Sequence, residues 1–356
     1  MAFRSLRRQT LHYFARPAIG PRREPVDSPA DWTGAAVRDG GEWIERFSDA
    51  ELGEIEHALD RAEAGGRPLQ TLRAADLPLP TVGQRIAGWR EQIAHGRGFV
   101  LIRGLPVGEW SEARAECFFW GFGLHFGVPG AQNPDGDLLG HVRDTRSNRD
   151  QRFYRTDKAI GVHTDAADVV GLMCLQPARR GGLSRIVSSV GVFNELCRRR
   201  PELVERLFQP MWFDTHGDGG IPAYPIEPCA WDGKTLRTFW QSDYYRSASR
   251  HAHVPPLSDD EAELLDAWDA IANEPDRCLD MDLQPGDIQL LSNHSQLHAR
   301  TAFTDWDDAG RQRHLLRLWI SLPEPHSLPE RWQRARAYAR VVGRAGRELL
   351  RTRIAP

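Results

Sequence analysis

Apolar residues at helical spacing define the first elements of the chain. Ser48-Asp49-Ala50-Glu51 has the form of a capping box, in which a serine hydroxyl and a glutamate three residues later satisfy backbone groups at a helix start. Apolar residues then recur every three or four positions from Leu52 to Ala62, and Gly65-Gly66 ends the pattern. The same reasoning predicts two further helices, one near 83–95 and one from Ser111 to about Phe126.

Short apolar runs bounded by turn residues predict strands in the rest of the chain. These runs are 98–104, 169–175, 184–187, 288–291 and 315–322. Between Val187 and Met281 lies a long excursion with helical patterns near 190–208 and 259–272. Short strands interrupted by one such excursion predict an α+β protein, with a double-stranded β-helix (jelly-roll) core, flanking helices and a long helical lid insertion.

The chain shows neither an internal repeat nor a low-complexity linker, and its 356 residues are enough for one elaborated domain. We therefore expect an irregular N-terminal arm over 1–40 and a single jelly-roll domain over 41–323. The lid insertion is expected at 188–280 within that domain. A basic C-terminal helix is expected over 324–356.

Composition narrows the classes of partner. Apolar residues make up 40% of the chain and charged residues 27%, which is typical of a soluble globular protein. The net charge of −3 provides no electrostatic case for nucleic acid, and no apolar run is long enough to span a membrane. The five cysteines are scattered, which favours reduced thiols in the cytoplasm over a disulfide framework. We expect a small-molecule substrate as the partner.

The C-terminal segment 330–353 is basic, with eight arginines. It could be an anion-binding or nucleic-acid-binding helix, but the negative charge of the whole chain favours a solvated or subunit-contacting helix. Because such a helix could contact another subunit, a homo-oligomer stays open as an alternative to a monomer.

Candidate metal ligands occur in His163-Thr164-Asp165. In an extended segment, side chains at i and i+2 leave the same face, so one strand end offers an imidazole and a carboxylate together. His298, which follows the strand 288–291, could complete the set from a neighbouring strand, and nearby His294 competes for that role. Two histidines and one carboxylate on one face of a metal suit iron(II) with open coordination positions.

Two arginines strengthen this interpretation. Arg313 and Arg317 lie four residues apart in a predicted strand, so both side chains point to the same face. Two guanidinium groups on the inward face of an apolar strand are costly unless anions pair with them. A bound dicarboxylate would supply the anions, and arginine offers a planar pair of donors that matches a carboxylate.

Three stretches carry a resemblance to a known family: GVHTDAADVVGLMCLQPARRGGLSRIVSS, PGDIQLLSNHSQLHARTAF and RQRHLLRLWISLP. In this order and spacing they resemble the taurine dioxygenase and clavaminate synthase-like family, over about Gly96 to Pro323. The resemblance implies that His163 and Asp165 are the first two iron ligands and that His298 is the distal ligand. His294 is the weaker match for the distal position.

The resemblance also implies how the co-substrate is bound. Arg313 falls on the arginine that holds the far carboxylate of 2-oxoglutarate, and Ser184 on its hydroxyl partner. Arg317 falls on a second arginine over the metal, where it would contact co-substrate or substrate. The residues that contact taurine in the family have no recognisable equivalents here, so taurine is not implied.

The activity implied is that of an Fe(II)- and 2-oxoglutarate-dependent dioxygenase. It would use O2 to hydroxylate an unactivated C–H bond of a small molecule, with release of succinate and CO2; desaturation and cyclisation stay open. Two other classes of function remain as alternatives. One is a zinc-type metallohydrolase with the same His-Asp-His site, which gives no role to Arg313 and Arg317. The other is a catalytically inactive jelly-roll binding protein, which would have little need of the three ligands.

Overall fold

The computed structural model describes residues 3–144, 157–216 and 221–323. The helices are α1 Leu6–Phe14, α2 Gly34–Arg38, α3 Asp49–Ala64, α4 Pro80–His95, α5 Glu112–Phe126, α6 Ser189–Arg199, α7 Pro201–Val204, α8 Ser242–Ser247 and α9 Asp259–Ala272. The strands of the first half are β1 Ile44–Arg46, β2 Phe99–Arg103, β3 Val128–Gly130, β4 Leu139–Val142, β5 Ile160–His163, β6 Val169–Gln176, β7 Arg180–Gly181 and β8 Ser184–Ser188. The later strands are β9 Met211–Asp214, β10 Ala223–Ile226, β11 Cys229–Trp231, β12 Leu236–Thr238, β13 Leu279–Met281, β14 Ile288–Ser292, β15 Gln296–Arg300, β16 Phe303–Thr304 and β17 His314–Ser321.

Two antiparallel sheets form the centre of this mixed α/β fold. The larger sheet has seven strands in the order β1-β2-β14-β6-β17-β3, with β4 also paired to β17; only β1 and β2 run parallel. The smaller sheet has four strands in the order β13-β8-β15-β5. Apolar side chains of both sheets meet in one buried cluster, with Phe99 and Val170 from the larger sheet and Ile186 from the smaller. The outer face of the larger sheet packs on α3, α4 and α5.

Most predicted elements are confirmed within one to three residues, because their limits are set locally. The Ser48 hydroxyl accepts from the backbone N–H of Glu51, whose carboxylate accepts from the backbone N–H of Ser48. The helix ends at Ala64, and Gly66 follows with a φ of +59°, a conformation that glycine adopts without strain. The predicted helix over 190–208 is wrong in one respect. The helical segment breaks after Arg199, and Pro201 begins the next helix, α7. Proline cannot extend a helix from the preceding turn, because it lacks the backbone N–H and its ring clashes with that turn.

The prediction of an irregular arm over 1–40 is wrong, because this segment contains α1 and α2. Helix α1 is fastened to the core by Tyr13, whose hydroxyl donates to the carbonyl oxygens of Thr238 and Asn293 at 3.1 and 3.0 Å. The arginines in the first turn of α1 made its apolar face hard to recognise in the sequence. Leu6 and Phe14 lie on that face, two turns apart.

The insertion over 188–280 is less helical than predicted, since it also contains β9, β10, β11 and β12. Much of it is firmly packed, and Phe193, Trp240 and Trp268 are fully buried in one apolar cluster. The predicted basic helix over 324–356 lies outside the described residues. In the part of the chain that the structure describes, no helix is both long enough and apolar enough to cross a membrane.

Candidate functional site

Three predicted ligands come together at the edge of the smaller sheet. His298 on β15 and His163 on β5 are direct cross-strand neighbours, and their ring centroids are 4.1 Å apart. Asp165 follows β5 by two residues, and its carboxylate oxygens lie 3.9 Å from His163 Nε2 and 3.6 Å from His298 Nε2. One donor atom from each residue falls within 4.8 Å of the others. The sheet register thus converts two distant sequence positions into one cluster of two imidazoles and a carboxylate.

Hydrogen bonds hold this cluster in place. The indole Nε1 of Trp319 donates to Asp165 Oδ2 at 2.9 Å, and the backbone N–H of Asp165 donates to Asn293 Oδ1 at 3.1 Å. His163 Nδ1 donates to the carbonyl oxygen of Gly161 at 2.9 Å. Because a carbonyl oxygen only accepts, the proton is on Nδ1, and the lone pair of Nε2 faces the cluster.

The electrostatics favour the protonation states that a metal requires. Burial, with the neighbouring His298, lowers the pKa of His163 to about 4, so its imidazole is neutral at pH 7. Burial alone would raise the pKa of Asp165, but His298 and Arg317 outweigh it and hold that pKa below its ordinary value. A neutral imidazole beside an ionised carboxylate is the form in which these side chains bind metal ions.

Arg313 lies buried in the same cavity, and Asp305 is the acidic side chain of the described residues whose charge acts on it. Its side chain is 4% exposed, and its Nη1 has no hydrogen-bond partner among the described residues. Burial lowers its pKa to about 10, which leaves the group charged at pH 7. A Cβ at Gly182 would lie 3.1 Å from Arg313 Nε, so glycine allows this close approach. A buried, incompletely paired guanidinium is costly, and an anionic ligand would offset the cost.

Arg317 and Ser184 both line the cavity, but they have different hydrogen-bond partners. Arg317 Nε donates to Gln132 Oε1 at 2.6 Å, and its Nη1 is 4.0 Å from Asp165 Oδ2, so it lies beside the cluster. The Ser184 hydroxyl donates to Gln289 Oε1 at 2.8 Å. Arg313, directly before β17, and Arg317 on β17 both line the cavity, so they lie on the same side of the chain, as predicted.

All six predicted residues line one cavity of about 740 Å3. Helix α1 and the β9–β10 region form much of the remaining wall, through Leu6, Arg7, Thr10, Leu11, Phe14, Phe213, Thr215, Ile221 and Tyr224. The arm and the insertion both line this cavity, although the sequence pattern indicated a role beside the site only for the insertion.

His294 lies outside the cluster. Its Nε2 is 2.9 Å from Asp168 Oδ1, and its ring stacks on Tyr13 at a centroid distance of 4.6 Å. Asp168 also binds Arg16 at 2.6 Å and His12 at 2.8 Å, so His294 belongs to the network that fastens α1.

The sequence reasoning missed three supports of the site, namely Trp319, Asn293 and Gln132. Trp319 could have been found, because it follows Arg313 and Arg317 at even spacing on the same strand face. Asn293 and Gln132 gave no comparable signal, since each lies far along the chain from the group it contacts.

Comparison with known proteins supports one class of enzyme. Residues 65–319 match the sequence model of the taurine catabolism dioxygenase TauD, TfdA family. FR-33289 synthase from Streptomyces rubellomurinus is 30% identical over 322 residues, which cover 86% of this chain and 93% of that protein.

Solved structures share the fold. Asparagine oxygenase in complex with Fe(II), 2S,3S-3-hydroxyasparagine and succinate gives a TM-score of 0.65 at 16% identity, over 79% of this chain and 94% of that one. The non-heme iron oxygenase OrfP with Fe and alpha-ketoglutaric acid gives a TM-score of 0.61 at 18% identity, with the same coverage of 79% and 94%. Its complex with Fe, succinate and (3S)-hydroxy-L-Arg gives the same TM-score, 0.61, at 16% identity, again over 79% of this chain and 94% of that one.

The fold and the family match define an iron(II)- and 2-oxoglutarate-dependent dioxygenase. More specifically, the chain belongs to the taurine catabolism dioxygenase TauD, TfdA family.

With Asp165 as the expected iron ligand, replacing Trp319 by phenylalanine is expected to weaken iron(II) binding by about 10–100-fold, the usual effect of removing a group that orients a metal ligand. The variant keeps an aromatic ring but loses the hydrogen bond to Asp165. Anaerobic calorimetric titration with iron(II) measures the effect. Trp212→Phe on β9, away from the cluster, is the matched control, and equal affinities in both variants would contradict the role of Trp319.

Proposed function

We propose that His163, Asp165 and His298 hold iron(II), and that Arg313 with Ser184 binds the far carboxylate of 2-oxoglutarate. The donor set fits this metal, because two imidazoles and a carboxylate on one face leave positions for a chelating co-substrate and dioxygen. The observation that carries the proposal is the buried guanidinium of Arg313, which shares the cavity with the three ligands.

With iron, co-substrate and dioxygen bound, the site supplies hydroxylation of an unactivated C–H bond, with release of succinate and CO2. The residues of the chain bind and orient the co-substrate and the substrate, and they exclude water from the site. Trp319 and Asn293 orient Asp165, and Arg313 fixes one end of the co-substrate. Arg317, between Gln132 and Asp165, is placed to contact the co-substrate or the substrate.

The proposed substrate is a small polar molecule. Asparagine oxygenase and OrfP were determined with hydroxylated amino acids, namely hydroxyasparagine and hydroxy-L-Arg. The cavity of about 740 Å3 is large enough for a co-substrate and a molecule of that size together.

The finer architecture is also part of the proposal. Two antiparallel sheets facing each other across one apolar cluster are consistent with a jelly-roll core over 41–323. Because α1 lines the cavity, we extend the functional unit to include this helix of the arm. The five cysteines are free thiols, which is consistent with the cytoplasm.

A zinc hydrolase or an inactive binding protein explains the site less well, since neither has a use for the buried Arg313. Anaerobic addition of 2-oxoglutarate to the iron-loaded protein tests the proposal. A metal-to-ligand charge-transfer absorption band and uncoupled formation of succinate in air are expected. A protein that binds iron but shows neither would contradict the proposed function.

Ligand binding is expected to protect only part of the insertion from hydrogen exchange. Peptides covering β9 and β10 contain cavity-lining residues and should exchange up to roughly 100-fold more slowly when 2-oxoglutarate is present at 100 times its Kd. Peptides from α6 and α9, which are packed in the core, serve as the internal control. Uniformly high protection of β9 and β10 without ligands would mean that these strands do not act as a lid.

A further inference from the structure

A second group of metal-binding side chains lies on the outer face of the larger sheet. His141 Nδ1 and His314 Nε2 are 2.9 Å apart, and Glu112 Oε1 is 3.6 Å from His141 Nδ1. One donor atom from each of the three residues falls within 4.8 Å of the others. Among the described residues, this group and the His163–Asp165–His298 group are the two sets that meet this criterion.

Strand pairing brings the two histidines together. His141 on β4 pairs with Leu316 on β17, and His314 lies two residues before Leu316 on the same face. Helix α5 crosses this face and places Glu112 in its first turn, with Glu116 one turn later. Because side chains alternate along a strand, His314 points away from the cavity that Arg313 faces. The two clusters therefore lie on opposite faces of β17.

We propose that Glu112, His141 and His314 form a second, structural site for a divalent metal ion of the zinc type. In a tetrahedral site, metal–donor distances of about 2.0–2.1 Å place neighbouring donor atoms about 3.3–3.4 Å apart. The two separations from His141 Nδ1, 2.9 Å to His314 Nε2 and 3.6 Å to Glu112 Oε1, bracket this value, and the donor atoms of Glu112 and His314 lie within 4.8 Å of each other. Two imidazoles and a carboxylate, with water in the fourth position, form a donor set that zinc accepts.

The other ring nitrogens of both histidines lie near carboxylate oxygens, at distances of ion pairs that are longer than hydrogen bonds. His141 Nε2 is 3.7 Å from Glu116 Oε1, and His314 Nδ1 is 3.9 Å from Glu112 Oε2. A bound ion would join α5 to β4 and β17, and so brace the strand that begins directly after Arg313.

The competing explanation is a plain hydrogen bond between two histidines beside solvated glutamates. Zinc calorimetry of the full chain carrying His163→Ala and His298→Ala separates the two, because these substitutions remove two donors of the cavity cluster. This background protein is expected to bind one equivalent of Zn2+ and to melt at a higher temperature with the ion. Adding His141→Ala or His314→Ala should weaken this binding more than 100-fold.

Two milder variants keep the test decisive if a histidine variant fails to fold. Glu112 is half exposed, so Glu112→Gln leaves the core intact and should weaken Zn2+ binding at least 10-fold. Glu116→Gln should weaken it by about 10-fold, as expected for a group that orients a ligand. Glu91→Gln on α4, outside the cluster, is the matched control. A background protein that binds no Zn2+, or Glu112→Gln binding as tightly as Glu91→Gln, would overturn the proposal. Because the measurement needs neither iron nor 2-oxoglutarate, its failure would leave the proposed oxygenase function unaffected.

Discussion

Replacing Arg313 by alanine is expected to weaken 2-oxoglutarate binding by roughly 30-fold to several-thousand-fold, which corresponds to about 2–5 kcal/mol. The reason is that the far carboxylate of the co-substrate would then be buried without its charged partner. Lysine should restore only part of the affinity, because an ammonium group lacks the planar pair of donors that matches a carboxylate. The measurement is the Kd of the anaerobic iron-loaded protein, read from the charge-transfer absorption band.

Two further variants identify the source of this effect. Ser184→Ala removes one hydroxyl hydrogen bond and should cost about 1–2 kcal/mol. Arg311→Ala removes an exposed arginine two residues away and should leave the Kd unchanged. Iron(II) affinity should survive in Arg313→Ala, since this residue is not a ligand. An Arg313→Ala protein that binds 2-oxoglutarate as tightly as the parent would contradict the assignment.

Single alanine substitutions of His163, Asp165 and His298 are each expected to lower iron(II) affinity by more than about 100-fold, beyond the range found for groups that only orient ligands. Each substitution removes one of three donors that converge within 4.8 Å, and the remaining pair cannot enclose the metal. Succinate formation should be lost in parallel. Anaerobic calorimetry with iron(II) and a succinate assay measure the two effects.

His294→Ala is the informative comparison for these variants. His294 binds Asp168 and stacks on Tyr13, so its loss should lower the free energy of unfolding by about 1–3 kcal/mol while iron(II) binding is retained. Circular dichroism melting separates this loss of stability from a loss of metal. Lost iron binding in His294→Ala, together with unchanged binding in His298→Ala, would reverse the choice between the two histidines.

The locally encoded parts of the protein could be predicted from sequence. The capping box at Ser48 predicted the start of α3, because it depends on side chains within four residues of one another. Strand alternation likewise predicted that Arg313 and Arg317 share a face. The family resemblance then supplied roles for these residues, which local patterns alone could not assign.

The N-terminal segment shows where local reasoning failed. Helix α1 is too short and too basic for its apolar face to stand out, and nine residues form a stable helix only when packed against something. Its stability comes from distant residues, since Asp168 binds His12 and Arg16 across more than 150 positions of sequence. No window of local sequence contains those contacts.

The sequence by itself determined where most helices and strands begin and end, and which face of β17 carries charge. The family resemblance favoured His298 over His294, and the tertiary structure brings His298 beside His163 and His294 onto Asp168. Only the tertiary structure showed that His141 meets His314 behind the cavity. The physical reason is the range of the interactions. Helix caps and strand alternation act between near neighbours in the chain, whereas these partners are chosen by sheet register, which depends on the burial of both sheets together.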